Sequence, residues 1–95
     1  MEKARLRSPF FVVNPKSYLY GEKLRRLARK TDGLCERYGF QSLFTAQLID
    51  LAWVADNCPH LIPCAQAMES LRPGRGMGHV LPEALAAAGV RATFL

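Results

Sequence analysis

The stretch that decides the fold is FFVVNPK, which runs from Phe10 to Lys16. Its first four residues are aromatic or β-branched and do not alternate with polar residues, which predicts a strand buried on both faces, as in a parallel sheet. This strand ends at Asn14 and Pro15, because proline cannot donate a hydrogen bond to a central ladder. The chain therefore begins as a parallel α/β fold with polar residues just beyond its first strand.

The remaining sequence alternates between helical and extended patterns. From Gly21 to Tyr38 apolar residues form one helical stripe with a basic face outside it, Gly33 is a candidate break, and Gly39 suits a left-handed helix end. Beyond it we predict a strand over Phe40–Thr45, a helix over Gln47–Asp56, a strand over Leu61–Ala65, a loop over Gln66–His79, a helix from Pro82 to Gly89 and a strand over Val90–Leu95. The βαβαβαβ order predicts right-handed crossovers and a parallel sheet in a single domain over residues 1–95.

Length and composition narrow the class of protein. The chain has 95 residues, of which 49% are hydrophobic, and a net charge of +5. It is shorter than a closed α/β barrel of roughly 200–250 residues, and no apolar run approaches the ~18 residues of a membrane span. With no signal-type amino terminus, we predict a cytoplasmic chain without a membrane partner. Nine of its 13 cations lie in the first thirty residues; we interpret them as a solvated helix face, not a nucleic-acid site.

The cysteines favour neither disulfides nor a metal. Cys35, Cys58 and Cys64 are odd in number and lack paired CxxC spacing, which predicts reduced, partly buried thiols. A metal site would have to join Cys58, His60 and Cys64, and the two intervening prolines make that geometry unfavourable. We therefore predict no metal site.

The other motifs favour structural roles. The run Gly74–Gly78 fits neither dinucleotide-binding nor P-loop spacing and is interpreted as a protruding loop that folds on itself. His79 follows it at a helix entrance, where a hydrogen-bonded structural role is favoured over a catalytic one. Trp53 lies beside the apolar stripe of its helix, which indicates packing between elements. No nucleophile elbow is present.

Asn14 and Lys16 are the best candidates for ligand binding. Both follow the first strand directly, and ligands of parallel α/β folds bind at the carboxyl ends of the strands. Lysine presents a compact positive charge that suits a phosphate or a carboxylate, and the asparagine amide can fix a hydroxyl or a neighbouring side chain. The alternative is an ordinary exposed lysine after a strand.

Four segments, in this order, resemble the triosephosphate isomerase family: Phe11–Tyr18 with its Asn-x-Lys motif, Ala46–Leu51, Pro63–Gln66 and Pro73–Gly89. The sequence Gly-His-Val-Leu-Pro-Glu within the last segment most resembles that of the archaeal-type branch. By this resemblance the chain is the N-terminal part of a (β/α)8 TIM barrel, with strands 1–4 and helices 1–3. The resemblance implies an aldose–ketose isomerase of glycolysis and gluconeogenesis that interconverts dihydroxyacetone phosphate and glyceraldehyde 3-phosphate without metal or cofactor.

The same resemblance assigns roles to individual residues. Asn14 and Lys16 correspond to the substrate-binding pair of the family, in which the catalytic lysine neutralises the phosphate dianion and the developing enolate charge. The loop Gln66–His79 corresponds to a loop that docks into a partner subunit, which implies a homo-oligomer. Two departures affect these elements: Pro15 replaces a usual aromatic residue, and Met77 replaces a usual threonine.

The catalytic histidine of the family follows the fourth strand, and its general-base glutamate lies further on, whereas this sequence ends at Leu95. We therefore predict a truncated isomerase that is inactive in this form. The alternative is a non-enzymatic, degenerate barrel module that binds phosphorylated ligands or an acidic partner through its basic helix.

Overall fold

The computed structural model describes residues 6–94; Met1–Arg5 and Leu95, the end of the predicted fourth strand, lie outside this range. The strands are β1 (Phe11–Val13), β2 (Ser42–Ala46), β3 (Leu61–Ala65) and β4 (Ala92–Thr93), and the helices are α1 (Gly21–Tyr38), α2 (Leu48–Asn57) and α3 (Pro82–Ala87). The alternation of strands and helices confirms the predicted order. Within residues 6–94 no helix is both long and apolar enough to cross a membrane.

The four strands form one parallel sheet in the order β1-β2-β3-β4. Ser42 lies opposite both Phe11 and Leu61, and Cys64 lies opposite Ala92. This is the predicted α/β class, in the arrangement of the N-terminal part of a TIM barrel. Because every strand runs in the same direction, all the carboxyl ends lie at one end of the sheet.

The predicted burial of the first strand on both faces is wrong. Phe11 is 55% exposed and Val12 is 47% exposed. The reason is that β1 is the edge of the described sheet and pairs with β2 alone. The Phe11 ring makes an edge-to-face contact with the Phe40 ring, with centroids 4.8 Å apart. The apolar sequence is typical of a strand with neighbours on both sides.

The predicted break at Gly33 is also wrong, because α1 runs without interruption through this residue. Gly33 lies on the exposed side of the helix, whereas Leu24, Ala28 and Cys35 on the opposite side are buried in the core. Packing of that stripe outweighs the roughly 1 kcal/mol by which glycine disfavours a helix. The helix ends as predicted at Gly39, which has φ +70° and donates its N–H to the Cys35 carbonyl at 2.9 Å.

The core lies between the sheet and the first two helices. Phe44 in the middle of β2 is fully buried, with Leu24 of α1 and Leu51 and Val54 of α2 packed in the same cluster. Burial of side chains of this size stabilises the fold by roughly 1.5–3 kcal/mol each. This packing fixes the sheet relative to α1 and α2, and with it the loops at the carboxyl ends of the strands.

Pro63 in the middle of β3 is compatible with the sheet. Its carbonyl accepts a hydrogen bond from the Arg91 N–H at 3.0 Å, on the side of β4. The nitrogen of Pro63 faces the same side, opposite a part of the chain that precedes Ala92, where β4 begins. The proline therefore removes no hydrogen bond from the β2–β3 ladder.

Trp53 joins α2 to α1, as predicted for a contact between elements. The guanidinium groups of Arg25 and Arg29 lie over its ring, 5.1 Å and 5.4 Å from the centroid. Arg29 also forms an ion pair with Glu22 at 2.9 Å. Two of the basic residues of α1 are thus engaged within the molecule.

Candidate functional site

A cavity of about 220 Å³ opens at the carboxyl ends of the strands. It is lined by residues that follow β1, end β2, follow β3 and follow β4: Asn14, Lys16, Ser17, Thr45, Gln66 and Phe94. The structure places both predicted site residues, Asn14 and Lys16, at this cavity. Both residues lie beyond the carboxyl end of β1, where polar residues from the other strands also line the cavity.

The backbone of Lys16 is strained. Its φ of +53° is the only positive value at a non-glycine residue within residues 6–94. A side chain in this left-handed conformation costs roughly 1–2 kcal/mol, and such strain is concentrated at functional sites. The Asn14 side chain stabilises the conformation, because its Oδ1 accepts the Lys16 N–H at 2.9 Å. Pro15 takes part in the same turn, since its carbonyl accepts the Tyr18 N–H at 3.2 Å.

Gln66 holds Lys16 from the other side. Its Nε2 donates to the Lys16 carbonyl oxygen at 2.7 Å, across the cavity end of the sheet. Asn14 and Gln66 together bind both polar backbone groups of Lys16. The sequence predicts for Gln66 only a place at the start of the loop Gln66–His79, although this residue follows β3 directly and the rule that selects Asn14 and Lys16 applies to it equally.

The cavity favours an anion. Among the lining residues within the described range 6–94, Lys16 is the only charged one, and the others carry amide, hydroxyl or phenyl groups. Amide and hydroxyl groups donate hydrogen bonds to oxygen atoms, and the lysine supplies the compensating positive charge. The dimensions and donors suit a small phosphorylated molecule.

The thiol nearest the cavity is not a nucleophile. Cys64 of β3 lies opposite Thr45 in the ladder and is almost fully buried. Burial raises the pKa of the Cys64 thiol, and the smaller influence of the Thr45 hydroxyl lowers it. Because the thiolate is the reactive form, a thiol with a raised pKa is inert near neutral pH.

Both histidines lie away from the cavity. His79 Nδ1 is 3.8 Å from a carboxylate oxygen of Glu69 on the loop between β3 and α3. His60, before β3 at the amino end of the sheet, lies between Asp32 and Glu36 of α1, with nitrogen–oxygen distances of 3.5 Å and 3.6 Å. The histidines therefore contact acidic residues within the fold.

The loop Gln66–His79 folds on itself, as predicted. The Leu71 side chain lies close over Gly76, where an added Cβ atom would displace its end. The Glu69 N–H donates to the Val80 carbonyl at 2.9 Å and joins the two ends of the loop. Within residues 6–94 no group of three or more His, Cys, Asp or Glu side chains is placed to hold a metal ion.

Comparison with known proteins gives a consistent result. No family model matches the chain. It is similar to the triosephosphate isomerase of Methanoculleus marisnigri, with 31% identity over 91 residues, which cover 93% of this chain and 40% of that protein. It is also similar to the triosephosphate isomerases of Methanothermus fervidus, with 30% identity over 92% of the chain, and of Methanopyrus kandleri, with 34% identity over 95%.

The predicted resemblance is thereby confirmed over nearly the whole chain, and on the archaeal side of the family. The chain spans about 40% of the length of the curated relatives it matches. That share agrees with a sheet of four strands from an eight-stranded barrel.

Proposed function

From the similarity of this chain to triosephosphate isomerases, we propose that it is the substrate-binding N-terminal part of an isomerase that interconverts dihydroxyacetone phosphate and glyceraldehyde 3-phosphate. The observation that carries the proposal is the strained Lys16, bound through both backbone groups at the rim of a cavity to which the described part of the chain contributes no acidic residue. A structural surface lysine would need neither the strain nor the two hydrogen bonds. The wider expectation of a role in glycolysis and gluconeogenesis belongs to the same proposal.

Lys16 is the catalytic residue of this proposal. Its ammonium group stabilises the phosphate dianion and the negative charge that develops on the enediolate oxygen. Because a lysine side chain is flexible, the position of its ammonium group depends on a backbone that is held in place. Asn14 and Gln66 hold the Lys16 backbone in this way. The amide nitrogen of Asn14 carries two further donors, which we assign to substrate oxygens.

The remaining catalytic groups lie outside the chain in this proposal. Phe94 lines the cavity and directly follows β4, so residues that continue from it in a longer chain would begin beside Lys16. This is the point at which the family resemblance places the catalytic histidine. General acid and base groups contribute about 10²- to 10⁴-fold each. We therefore propose that residues 1–95 bind the substrate but have no turnover.

Ligand binding tests the proposal on the chain itself. Inorganic phosphate and dihydroxyacetone phosphate are titrated into ¹⁵N-labelled protein, and backbone amide shifts are followed at Asn14, Lys16, Ser17 and Gln66. Lys16→Ala should weaken binding at least tenfold, the factor typical of one charge-assisted contact. Lys23→Ala removes the same charge from an exposed position on α1 and should leave binding unchanged. Equal loss in the two variants would contradict a specific role for Lys16.

A coupled isomerase assay tests the second half of the proposal. The 95-residue chain should give no signal above the uncatalysed rate. A chimera that adds the remaining strands and helices of one of the methanogen relatives should be active and should lose activity in Lys16→Ala. Turnover by the 95-residue chain would contradict the proposed division of catalytic groups.

The basic face of α1 gives less support to the alternative of an acidic partner. Arg25 and Arg29 lie over Trp53, and Arg29 is paired with Glu22. A salt-sensitive complex that survives Lys16→Ala and is lost in Arg26→Ala would favour that alternative.

We further propose that the loop Gln66–His79 joins copies of the protein into a homo-oligomer. The loop is exposed along most of its length, and Met77 at its tip is 94% exposed. An apolar side chain presented in this way on a loop with closed ends suits insertion into a partner. Sedimentation should show an oligomer that Met77→Asp converts to monomer. Unchanged sedimentation of the variant would contradict this role.

A further inference from the structure

We infer that Asp50 of α2 is a positioning residue for the loop that carries Lys16. Its carboxylate is 2% exposed, and its Oδ2 accepts the backbone N–H of Gly21, the first residue of α1, at 3.1 Å. Asp50 does not line the cavity, so it acts on the loop and not on the ligand. The functional part of this inference rests on the proposed role of Lys16.

The burial of Asp50 needs an explanation. It lies on the core side of α2 beside Leu51, and a buried carboxylate costs several kcal/mol unless it is paired or hydrogen-bonded. The amino terminus of α1 supplies that compensation, because its free N–H groups and helix dipole favour a negative charge. The residue before the helix, Tyr20, makes no side-chain cap hydrogen bond. Asp50 therefore caps α1 from a different element.

The capped end is the far end of the Lys16 loop. Between Lys16 and Gly21 the side chains of Tyr18 and Tyr20 are 83% and 69% exposed, and only Leu19 packs against the core. Side-chain packing therefore restrains this segment only weakly, and its conformation depends mainly on hydrogen bonds to its backbone.

Three side chains bind the loop backbone at successive points. Asn14 binds the Lys16 N–H, Gln66 binds the Lys16 carbonyl, and Asp50 binds the Gly21 N–H. Without the last contact, the segment between Lys16 and α1 is held at its far end only by the contact of Leu19 with the core and by the packing of α1 from Leu24 onward. The backbone of Lys16 could then relax from φ +53° to lower-energy conformations. Asp50 thus stabilises the left-handed conformation indirectly.

Amide hydrogen exchange without ligand tests the positioning claim. The readout is the ratio of Lys16 amide protection in a variant to that in the unsubstituted chain, because this exposed amide exchanges by local opening; the core amide of Phe44 reports global stability separately. Asp50→Ala removes the acceptor and should lower this ratio about tenfold, whereas Asp50→Asn keeps an oxygen acceptor without the charge and should lower it about threefold. If Asp50→Ala does not fold, Asp50→Asn still provides the test.

Two controls separate positioning from general destabilisation. Asp56→Asn makes the same charge change at an exposed position on α2 and should leave the ratio unchanged. Leu85→Ala removes a buried side chain of α3 and should lower global protection without changing the ratio. An unchanged ratio in both Asp50 variants, or an equal fall in Leu85→Ala, would overturn the inference.

Titration with inorganic phosphate tests the functional part. Its affinity should fall by the same factors in the two Asp50 variants and stay constant in Asp56→Asn. If the unsubstituted chain does not bind phosphate, the proposed function of Lys16 is overturned, while the exchange ratio still decides whether Asp50 positions the loop. Phosphate affinity that is unchanged in Asp50→Ala would overturn the functional part alone.

Discussion

Substitution of Lys16 by glycine and by alanine measures the backbone strain at the site. At φ +53° a residue with a Cβ atom is disfavoured by roughly 1–2 kcal/mol, a penalty that glycine avoids. Glycine has more freedom in the unfolded chain, which offsets roughly 0.5–1 kcal/mol of that gain. We therefore expect Lys16→Gly to be more stable than Lys16→Ala by about 0.5–1 kcal/mol. Both variants lack the ammonium group, so the charge effect cancels in the comparison.

The same pair of substitutions at Lys30 provides the control. Lys30 is exposed within α1, where alanine is preferred over glycine by about 1 kcal/mol. Urea unfolding followed by the fluorescence of Trp53, the single tryptophan, gives all four free energies of unfolding. The sign of the glycine–alanine difference should reverse between the two positions. The contrast should reach about 1.5–2 kcal/mol, well above the error of such measurements.

Two results would refute this reasoning. One is alanine being more stable than glycine at both positions, which would mean that Lys16 is not left-handed in solution. The other is phosphate binding by Lys16→Gly with the affinity of the unsubstituted chain, which would mean that the Lys16 ammonium group has no role in binding.

Two further predictions concern the core. Burial, with a smaller contribution from Asp32, raises the pKa of the Cys58 thiol from 9.0 to about 11, so the folded chain holds this proton more tightly than the unfolded chain. The contribution of Cys58 to the free energy of unfolding should therefore be constant below pH 9 and fall between pH 9 and 11, so urea unfolding should show a shallower fall over this range in Cys58→Ala. Gly89 has φ +94°, and a Cβ atom there would lie 2.8 Å from that of Ala55; Gly89→Ala should lower the free energy of unfolding by about 2–4 kcal/mol. Adding Ala55→Gly should recover the part of this loss that is due to overlap of the two Cβ atoms. A double-mutant cycle that shows no such recovery would contradict overlap as the cause.

The order of elements could be predicted from the sequence because hydrophobic period and turn residues are local signals. The bounds of β3 and α1 agree with the prediction. The burial of β1 could not be predicted, since exposure depends on which strands lie beside it. The continuity of α1 through Gly33 depends on packing of the opposite face, which outweighs helix propensity. β4 is shorter than predicted because it pairs with only the last two residues of β3, Cys64 and Ala65.

The candidate site could be predicted in part. Asn14 and Lys16 were found because their position after a strand is itself a sequence signal. The sequence does not reveal the roles of Gln66 and Asp50. Gln66 binds a backbone atom 50 residues away, and Asp50 binds one 29 residues away. A hydrogen bond to a backbone atom does not depend on which side chain the contacted residue carries, so the sequence at that residue gives no sign of the bond. Such contacts are visible only once the fold is known.

The hydrogen bond between Gln66 and the Lys16 carbonyl has a consequence for synthesis of the protein. Lys16 leaves the ribosome well before Gln66 does, because 50 residues separate them. A newly made amino-terminal segment contains Lys16 but not yet the Gln66 amide that holds the Lys16 backbone. We therefore expect the proposed anion binding to develop only after the third strand has left the ribosome.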